Sequence, residues 1–349
     1  MYCNQSYILA FYKNKYFYCV KILIVRFSSI GDIVLTSPVI RGLKEQLDNV
    51  EIHYLTKKAF SSIVSSNPRV DKVFTIEKSV DEAIMDLKKE QYDWVIDLHN
   101  NIRTKSLKSK LQKPSKTVRK LNWKKWMLVK LKINRMPALH IVDRYFETVN
   151  HLDVRNDGKE CEFYISPENE VNIQQEFGFD SYLSVAIGAQ FATKRLPTIK
   201  LIEVLAKVKM PVVLIGGNDD SDVANEICAA LNDNTIVNAC GKYNLQQSAS
   251  IVRQSQHLLT HDTGMMHIAS CFGVSMTTVW GNTVPDLGMY AYLPSGKAKA
   301  SIHEVKDLSC RPCSKIGFQK CPKGHFKCME DQDVGSIVGS VASSFLDQS

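Results

Sequence analysis

The sequence predicts an α/β protein of two doubly wound lobes that face a central cleft, and two turns carry most of that prediction. Residues 21–32 read KILIVRFSSIGD, a buried strand that ends in a small-residue turn with Asp32. Residues 257–267 read HLLTHDTGMMH, again a strand, an acid and the start of a helix. Because ligands of open α/β sheets bind at the carboxyl ends of strands, we expect Asp32 and Asp262 to meet across one cleft.

The order of the predicted elements gives the domain boundaries. At 349 residues the chain fits two domains of ordinary size. Strands alternate with helices on both sides of a polar, acidic stretch, and such alternation predicts parallel sheets. We expect an N-terminal extension at residues 1–19, a first lobe at 20–155, a linker at 156–180, a second lobe at 181–333 and a C-terminal helix at 334–349.

In the first lobe each predicted element has a local sequence signal. Pro38 suits the opening turn of a helix at 38–46, and Asn67-Pro68 marks a turn before the third strand. Residues 80–89 have apolar side chains at helical spacing. The predicted strands are 21–27, 50–55, 72–76 and 94–98, and the predicted helices are 38–46, 59–65, 80–89 and 140–152.

The second lobe repeats the plan with strands that end at Gly or Asp. Gly188 and Gly216-Gly217 follow two of these strands, and Gly281 follows another. Such strand ends allow close backbone approach to a ligand. The predicted strands are 183–187, 211–215, 235–238, 257–260 and 276–280, and the predicted helices are 198–207, 221–231, 245–253 and 264–271.

Composition indicates a soluble globular protein, with 44% hydrophobic and 23% charged residues. No apolar run reaches the ~20 residues that span a bilayer. The first twenty residues are broken by Lys13 and Lys15 and lack the apolar core of a signal peptide. We therefore expect a protein of the reducing cytoplasm. For residues 1–19 we expect a frayed extension, with a weak membrane-surface anchor as the alternative.

The net charge of +8 is concentrated in one basic block at residues 103–135, which contains thirteen Lys or Arg and no acid. A local block of this kind indicates an anionic partner. Tryptophans interleave with its lysines, a pattern that suits an anionic lipid headgroup. Nucleic acid and a merely solvated loop are the alternatives. The candidate contact residues are Arg103, Lys105, Lys120, Trp123, Lys124, Lys125 and Trp126.

Four of the ten cysteines form a cluster: Cys310, Cys313, Cys321 and Cys328. Four thiols within nineteen residues have the count for a structural tetrahedral Zn²⁺, although the spacing is not that of a standard finger. His325 could substitute for one ligand. Free or packed thiols and a disulfide pair remain the alternatives.

The turn at Asp262-Thr263-Gly264 predicts an anion site. Free N–H groups at a helix start, together with the helix dipole, bind phosphate, and Thr263 can cap the helix. A plain capped helix is the alternative. The loop at 188–197 adds Lys194 and Arg195 before another helix, where a Lys can neutralise a leaving phosphate. Two solvated cations are the alternative there.

Taken together, these segments resemble glycosyltransferase family 9, the ADP-heptose:lipopolysaccharide heptosyltransferases. The matching segments follow the family's order over most of residues 20–330: IVRFSSIGDIVLTSPVIRGLK, DLHNNIRT, the Lys-Arg-x-Pro loop, LIGGNDD, Asp-Thr-Gly-Met-x-His and Trp-Gly-Asn-Thr. The resemblance implies a GT-B fold of two Rossmann-like lobes and inverting transfer that requires no metal cofactor. Leu196 stands where the family often has Trp, and Gly281-Asn282 replaces the more usual Gly-Pro.

Carried over residue by residue, the resemblance implies that Asp32 is the general base and Lys194 the diphosphate lysine. Asp220 follows a strand, where an acid can meet a ribose hydroxyl. The predicted donor-binding residues are Ser28, Ser29, Gly31, Thr193, Lys194, Asp220, Asp262, Thr263, Gly264, Met265 and His267.

The implied reaction is direct displacement, in which an acceptor hydroxyl loses its proton to Asp32 and attacks the anomeric carbon of a nucleotide sugar. The implied partners are an ADP-heptose-like donor and an anionic glycolipid acceptor, with peripheral contact at the cytoplasmic face of the inner membrane and no nucleic acid. A different sugar nucleotide and a non-catalytic nucleotide-binding protein are the alternatives. A dinucleotide oxidoreductase is disfavoured because no G-x-G-x-x-G turn follows a strand.

Overall fold

A computed structural model describes residues 19–346, with side chains described as far as residue 343. Five parallel strands form the first sheet in the order β3-β2-β1-β4-β5. They are β1 (Val20–Val25), β2 (Val50–Lys57), β3 (Lys72–Ile76), β4 (Trp94–Asp97) and β5 (Ser115–Thr117). Residues 22–25 of β1 are fully buried, as expected for a parallel sheet whose two faces are both covered. Strand β5 was not predicted because its three residues are polar and lie inside the basic block.

Six parallel strands form the second sheet in the order β11-β10-β9-β6-β7-β8. They are β6 (Leu183–Ala186), β7 (Val212–Ile215), β8 (Ile236–Asn238), β9 (His257–His261), β10 (Met276–Trp280) and β11 (Ala300–Glu304). The edge strand β11 was also not predicted, since it is only half-buried and its sequence, ASIHE, lacks the apolar run of the other strands.

Helices cover both sheets. In the first lobe they are α1 (Ile30–Val34), α2 (Ser37–Gln46), α3 (Ser62–Ser65), α4 (Asp81–Lys89), α5 (Ile102–Leu111), α6 (Asn122–Trp126) and α7 (Ile141–Phe146). The remainder are α8 (Ile173–Phe177), α9 (Thr198–Leu205), α10 (Ser221–Leu231), α11 (Leu245–Gln254), α12 (Gly264–Cys271), α13 (Lys327–Glu330) and α14 (Val334–Leu346). The helix predicted at 140–152 is shorter, because α7 ends at Phe146 and a separate 3₁₀ turn follows at Asn150–Leu152.

Each sheet reverses its strand order beside its first strand, between β1 and β4 in one lobe and between β6 and β9 in the other. In register, Val25 lies opposite Asp97, and Val185 lies opposite Leu259. The turns that follow β1, β6 and β9 therefore open at the two switch points, where ligands of such sheets bind.

The two lobes touch through α1 and α12, which pack directly against each other. A side chain at Gly31 would overlap the imidazole of His267, and a Cβ at Gly264 would lie 2.9 Å from the Cβ of Ile30. One hydrophobic cluster contains Ile33 of α1 together with residues of the second lobe. The absence of side chains at these two glycines allows the two helix starts to approach closely.

The segment predicted as linker passes from one core to the other. Cys161 and Phe163 pack in the first-lobe core, whereas Val171 and Ile173 pack in a core of the second lobe. The C-terminal helix α14 buries Ile337 against the second lobe. The predicted N-terminal extension lies outside the described residues, apart from Cys19.

Candidate active site

A cavity of about 740 Å³ lies between the lobes and is lined from both sides by the predicted turns. Asp32 and Asp262 both line it, so the prediction that the two acids share one cleft is confirmed. The predicted site residues on its wall are Ser28, Ser29, Gly31, Asp32, Lys125, Lys194, Asp220, Asp262, Thr263, Gly264, Met265 and His267.

Asp32 is held by its own lobe. Arg26 Nη2 lies 2.5 Å from Asp32 Oδ1, and the Ser29 hydroxyl donates to Oδ2 at 2.8 Å. The backbone N–H of Ser29 also donates to Oδ2, at 3.2 Å. Asp32 is therefore the third residue of α1 in a capping box with Ser29, and not the N-cap itself.

These contacts fix the protonation state of Asp32. Burial acts to raise the pKa of this carboxyl, but the Arg26 charge and the Ser29 hydrogen bonds outweigh burial and hold the pKa below its ordinary value. Arg26 is in turn oriented by the carbonyl oxygens of Ser28 and Leu98, at 2.8 and 2.6 Å. The carboxylate is thus ionised at neutral pH and can accept a proton.

On the opposite wall Lys194 pairs with Asp262. Lys194 Nζ lies 2.6 Å from Asp262 Oδ2 and donates to the Asp262 carbonyl at 3.2 Å. The hydroxyl of Thr283 donates to the same Oδ2 at 2.8 Å. The Asp262 carboxylate therefore holds the Lys194 ammonium group beside the start of α12. The same carboxylate accepts a hydrogen bond from the turn that follows β10.

The start of α12 differs in one respect from the prediction. Thr263 occupies the N-cap position, but its hydroxyl makes no capping bond and instead lies 3.3 Å from the Thr260 hydroxyl. The N-terminal backbone of Gly264 and Met265 faces the cavity without a side-chain cap. The helix has eight residues, and its N-terminus offers N–H groups and a positive dipole end to an anion.

His267 lines the cavity within electrostatic range of both acids. Burial lowers its pKa to about 4, against the opposing charges of Asp262 and Asp32, so the ring is neutral at neutral pH. Its Nδ1 has no hydrogen-bond partner among residues 19–346. The ring packs against Gly31, and it therefore links the first-lobe turn to α12.

Asp220 shapes a second stretch of the wall. Its Oδ2 accepts the backbone N–H of Gly217 at 2.9 Å, and its Oδ1 lies 2.9 Å from Arg195 Nη1. A side chain at Gly188 would overlap this carboxylate. Asp219 and Asp222, the neighbouring acids, are exposed and do not line the cavity.

Thr193 does not line the cavity. Its hydroxyl donates to the carbonyl of Phe318 at 3.0 Å and accepts the Phe318 N–H at 2.8 Å. The prediction that Thr193 contacts the sugar-nucleotide donor is thus not supported, because Thr193 does not line the cavity. This threonine instead ties the Lys194 loop to the segment that carries Lys315 and Ile316 into the cavity.

The basic block divides into two parts. Lys125 lines the cavity and Lys120 is half-buried, whereas Arg103, Lys105 and Lys124 are exposed. Burial lowers the pKa of Lys125 to about 8, with Arg144 and Lys315 acting in the same direction.

The exposed part of the block presents two aromatic rings. Trp123 and Trp126 stack with ring centroids 4.9 Å apart, and their exposed fractions are 68% and 44%. Neither lines the cavity.

The sequence profile described as "Glycosyltransferase family 9 (heptosyltransferase)" matches residues 82–319, which is more than half of the chain. The chain belongs to glycosyltransferase family 9. It is therefore a glycosyltransferase, and the resemblance found in its motifs is confirmed.

Individual family 9 proteins are similar over most of their length. Lipooligosaccharide heptosyltransferase 2 of Haemophilus influenzae is 26% identical over 80% of this chain and 87% of the relative. The solved structure of E. coli ADP-heptose LPS heptosyltransferase II superposes with a TM-score of 0.71 at 19% identity, covering 94% of this chain and 99% of that one. E. coli heptosyltransferase WaaC, solved with ADP-2-deoxy-2-fluoro heptose, gives 0.62 at 15% identity over 95% and 100%. The fold is GT-B, as predicted.

The two departures from the family 9 pattern fall behind the cavity wall. Leu196 is buried in the second-lobe core, and its N–H donates to His261 Nε2 at 2.9 Å. Asn282 is buried, and both its side-chain polar atoms lack partners among the described residues. Neither residue lines the cavity.

The cysteine cluster is not assembled as a closed metal site. Within residues 19–346, the group whose ligand atoms all lie within 4.8 Å of one another is Glu51, His53 and Glu90, and it includes no cysteine. Cys328 is packed in the second-lobe core, while Cys310 Sγ lies 3.7 Å from His325 Nε2. All four cysteines are free thiols, so no disulfide pair joins them, and the zinc site stays a prediction.

The Glu51 group is already neutralised by protein cations. Glu90 pairs with Lys21 at 2.9 Å and with Lys72 at 2.6 Å, and Lys21 Nζ also lies 3.2 Å from a Glu51 oxygen. We therefore describe it as an ion-pair network that joins β1, β2 and β3. Within residues 19–346, every helix is too short or too polar to cross a lipid bilayer.

Arg26, which pairs with Asp32, and Lys315, which lines the cavity, are two site residues that the sequence analysis missed. Arg26 had a signal, since a charge at the end of the apolar strand KILIV must point to a buried partner or a ligand. Lys315 had none, because it lies in an irregular loop whose path depends on contacts with Phe191 and Thr193.

Proposed function

We propose that this family 9 protein transfers a heptose from an ADP-linked donor, with inversion and without a metal ion, to the inner core of lipopolysaccharide. One observation carries the proposal: an ionised carboxylate on one lobe and a lysine beside an uncapped helix start on the other line the same cavity. Such a pair can take a proton from an acceptor and receive a departing diphosphate. The heptosyl donor is supported by the family description and by the relative solved with ADP-2-deoxy-2-fluoro heptose.

In the proposed reaction the acceptor hydroxyl oxygen forms a bond to the anomeric carbon of the sugar as the bond to the diphosphate oxygen breaks. Asp32 accepts the hydroxyl proton, and the electron pair of the broken bond leaves with the diphosphate. A single in-line displacement inverts the anomeric configuration. Since the pKa of Asp32 is lowered, we assign much of the rate gain to orientation of the two substrates and to charge stabilisation.

Charge on the leaving diphosphate is met by protein groups in this proposal. Lys194 moves from Asp262 to the diphosphate, and the N–H groups of Gly264 and Met265 donate to its oxygens. Asp220 holds the turn at Gly217 through the Gly217 N–H and packs closely against Gly188, and in this proposal both backbones approach the nucleotide. His267 remains a neutral spacer between Asp32 and the donor site.

We further propose that the enzyme works at the cytoplasmic face of the inner membrane and contacts its surface. The stacked Trp123 and Trp126 are exposed next to Lys124 and Lys130, and Leu131 is 51% exposed. Exposed indoles beside cations suit the interface of a membrane with anionic lipids. A glycolipid acceptor would then reach the cleft from this side.

The membrane contact can be tested by flotation with vesicles that contain or lack phosphatidylglycerol. We expect the double variant that carries Trp123→Ala and Trp126→Ala to bind the anionic vesicles less than the wild type does. Met85→Ala serves as the control, because Met85 is equally exposed on α4 in a segment without a basic block. Equal binding to neutral and anionic vesicles would contradict the contact.

The transfer reaction is tested with purified enzyme, a heptose-deficient lipopolysaccharide core as acceptor, and a panel of sugar nucleotides. We expect ADP-heptose to be the preferred donor, the product to carry the inverted linkage by NMR, and the rate to be unchanged by a chelator. Transfer of another sugar in preference, or retention of configuration, would overturn the corresponding part of the proposal.

A further inference from the structure

The partner of Lys194, Asp262, is itself held by a residue behind the cavity wall. Asp262 Oδ2 lies 2.6 Å from Lys194 Nζ and accepts the hydroxyl of Thr283 at 2.8 Å. Thr283 is 1% exposed and belongs to residues 281–284, which follow β10 and which we call the β10 turn. Among the residues that the structure describes, Thr283 does not line the cavity, so it reaches a bound donor through Asp262.

Two residues, Arg311 and Cys313, bind three successive carbonyl oxygens of the β10 turn. Arg311 Nε donates to the carbonyl of Gly281 at 2.6 Å, and Nη2 donates to that of Thr283 at 3.0 Å. The carbonyl between them, of Asn282, accepts the backbone N–H of Cys313 at 3.2 Å. Because each of these bonds would be lost if the turn moved, the turn has little freedom to carry Thr283 away from its position.

The Arg311 guanidinium is fully engaged within the second lobe. Its side chain is 7% exposed, and Nη1 donates to the Val305 carbonyl at 2.7 Å. Nη2 also lies 2.9 Å from Glu304 Oε2. A planar guanidinium can hold several acceptors at fixed angles. The Arg311 charge is thus met by Glu304 and its N–H groups are engaged by protein oxygens, so this cation holds the turn and does not bind a substrate.

Two further contacts fix the same region. Lys132 of the first lobe donates to the carbonyl oxygens of Cys310 and Pro312, which flank Arg311 in sequence, at 2.9 and 2.7 Å. The β10 turn also lies directly against the Lys194 loop, since a Cβ at Gly281 would lie 2.7 Å from the carbonyl oxygen of Thr193. Displacement of the turn would therefore disturb both Asp262 and the backbone beside Lys194.

We propose that Thr283 and Arg311 are positioning residues for the transfer reaction. Arg311 fixes the β10 turn, and Thr283, within that turn, fixes the Asp262 carboxylate. The carboxylate in turn presents Lys194 to the departing diphosphate. When Lys194 moves to the diphosphate, the Thr283 hydroxyl stays on Oδ2 and keeps the carboxylate in place. This inference rests on the proposed function, because it requires Lys194 to act on the leaving group.

The first test replaces the Thr283 hydroxyl with a methyl group. In Thr283→Val we expect kcat/KM for ADP-heptose to fall by about tenfold, the scale of one hydrogen bond to a charged group, with the acceptor KM unchanged. Thr283→Ser keeps a hydroxyl and should remain close to the wild type.

Thr277→Val is the matched control for this test. Thr277 is fully buried on β10, and its hydroxyl lies 2.8 Å from His257 Nε2, away from the cavity. We expect Thr277→Val to keep the kcat/KM of the wild type for the donor. If Thr277→Val and Thr283→Val slow transfer equally, Thr283 supports the strand and not the reaction, and the proposal is overturned.

The second test asks whether Thr283 acts through Lys194. Residues that act as one unit have non-additive effects on rate, whereas independent residues have effects that multiply. We therefore expect the double variant with Lys194→Met and Thr283→Val to be no slower than Lys194→Met alone. Effects that multiply in this double variant would overturn the proposal.

Arg311→Lys extends the same cycle. An ammonium group keeps the charge but lacks the planar fork of a guanidinium, so the β10 turn should be held less well. We expect kcat/KM for the donor to fall, with no additional loss when Thr283→Val is added. Effects that multiply would remove Arg311 from the proposal. The Tm of each variant is measured, and if Arg311→Lys does not fold, the cycle between Thr283 and Lys194 decides.

The outcomes separate this inference from the proposed function. If Lys194→Met transfers at the rate of the wild type, the role of Lys194 in the proposed function fails. If Lys194→Met is slow and the effect of Thr283→Val multiplies with it, the proposed function stands and the positioning role fails. If another sugar nucleotide proves to be the donor, the heptose assignment fails, and the same cycle measured with that donor tests the positioning role.

Discussion

The two strand-acid-helix turns look alike in sequence, but the structure uses them in opposite ways. In the first lobe, Asp32 lies inside helix α1 and accepts the N–H and hydroxyl of Ser29. In the second lobe, Asp262 precedes helix α12, whose N-cap residue Thr263 makes no capping bond. In the first turn the Asp32 carboxylate bonds the start of its own helix and still lies in the cleft. In the second turn no side chain caps the helix, so its N–H groups are open to an anion. The position of the acid relative to the N-cap therefore differs between the two turns, and under the proposed function the first turn presents a base and the second an anion site.

Asp32→Asn should produce the largest effect, because it removes the proton acceptor while keeping the shape of the side chain. We expect kcat to fall by ~10²-fold or more, with binding of ADP retained. Asp219→Asn is the matched control, since Asp219 is exposed outside the cavity. Single-turnover transfer and ADP titration measure the two quantities, and full activity of Asp32→Asn would rule out the proposed base.

Lys194→Met tests the opposite wall. We expect kcat/KM for the donor to fall by roughly 10²-fold, because one charge that stabilises the departing diphosphate is lost. Lys207→Met, on an exposed lysine after α9, should leave the rate unchanged. A rise of similar size in the acceptor KM alone would show that Lys194 acts on the acceptor and not on the donor.

The pH dependence of KM should differ between the acceptor and the donor. Asp32 has a lowered pKa, so its base form persists as pH falls and is lost only below the ordinary range of an aspartate. Lys125 has a pKa of about 8, set by burial and by Arg144, Lys315 and Lys120 against Asp32, so its charge is lost as pH rises through that value.

We therefore expect the KM for the acceptor to increase above about pH 8, while the KM for the donor does not. Lys125→Arg should move this increase to higher pH, because a guanidinium stays protonated there. An acceptor KM that is independent of pH up to pH 10 would contradict a role for Lys125 charge.

The smallest effects concern the two helix starts. Ser29→Ala removes a hydroxyl that donates to the Asp32 carboxylate at 2.8 Å, and we expect the free energy of unfolding to fall by about 1 kcal/mol, the scale of one hydrogen bond. Thr263→Ala removes a hydroxyl that caps nothing, so its unfolding free energy should change by much less. Chemical denaturation of both variants measures the difference, and equal losses would mean that Thr263 caps its helix in solution.

The fold and much of the cavity wall were predictable because their signals are local. Apolar strands, Gly or Asp at their ends and Pro38 at a helix start are read within a few residues, and these gave both lobes and the turns at Asp32 and Asp262. The edge strands β5 and β11 were missed because their own sequences, SKT and ASIHE, lack an apolar run, whereas the other two edge strands, β3 and β8, were predicted.

Side-chain partners were harder to predict than backbone elements. Lys315 enters the cavity through contacts between segments far apart in sequence, and Thr193 turns away from it to bond Phe318. The cysteine spacing suggested a metal site, but the four sulfur atoms do not all lie within 4.8 Å of one another. The catalytic and binding roles of the individual residues stay predictions until the variants are measured.

The seam between α1 and α12 has a consequence for how this enzyme can be altered. A single methyl group at position 31 would overlap the His267 ring, so the ring or the packing of α1 on α12 would have to shift. Such a change would disturb the contact between the lobes without removing one polar group from either wall of the cleft. The close approach of the two lobes at this seam therefore depends on a side chain that is missing.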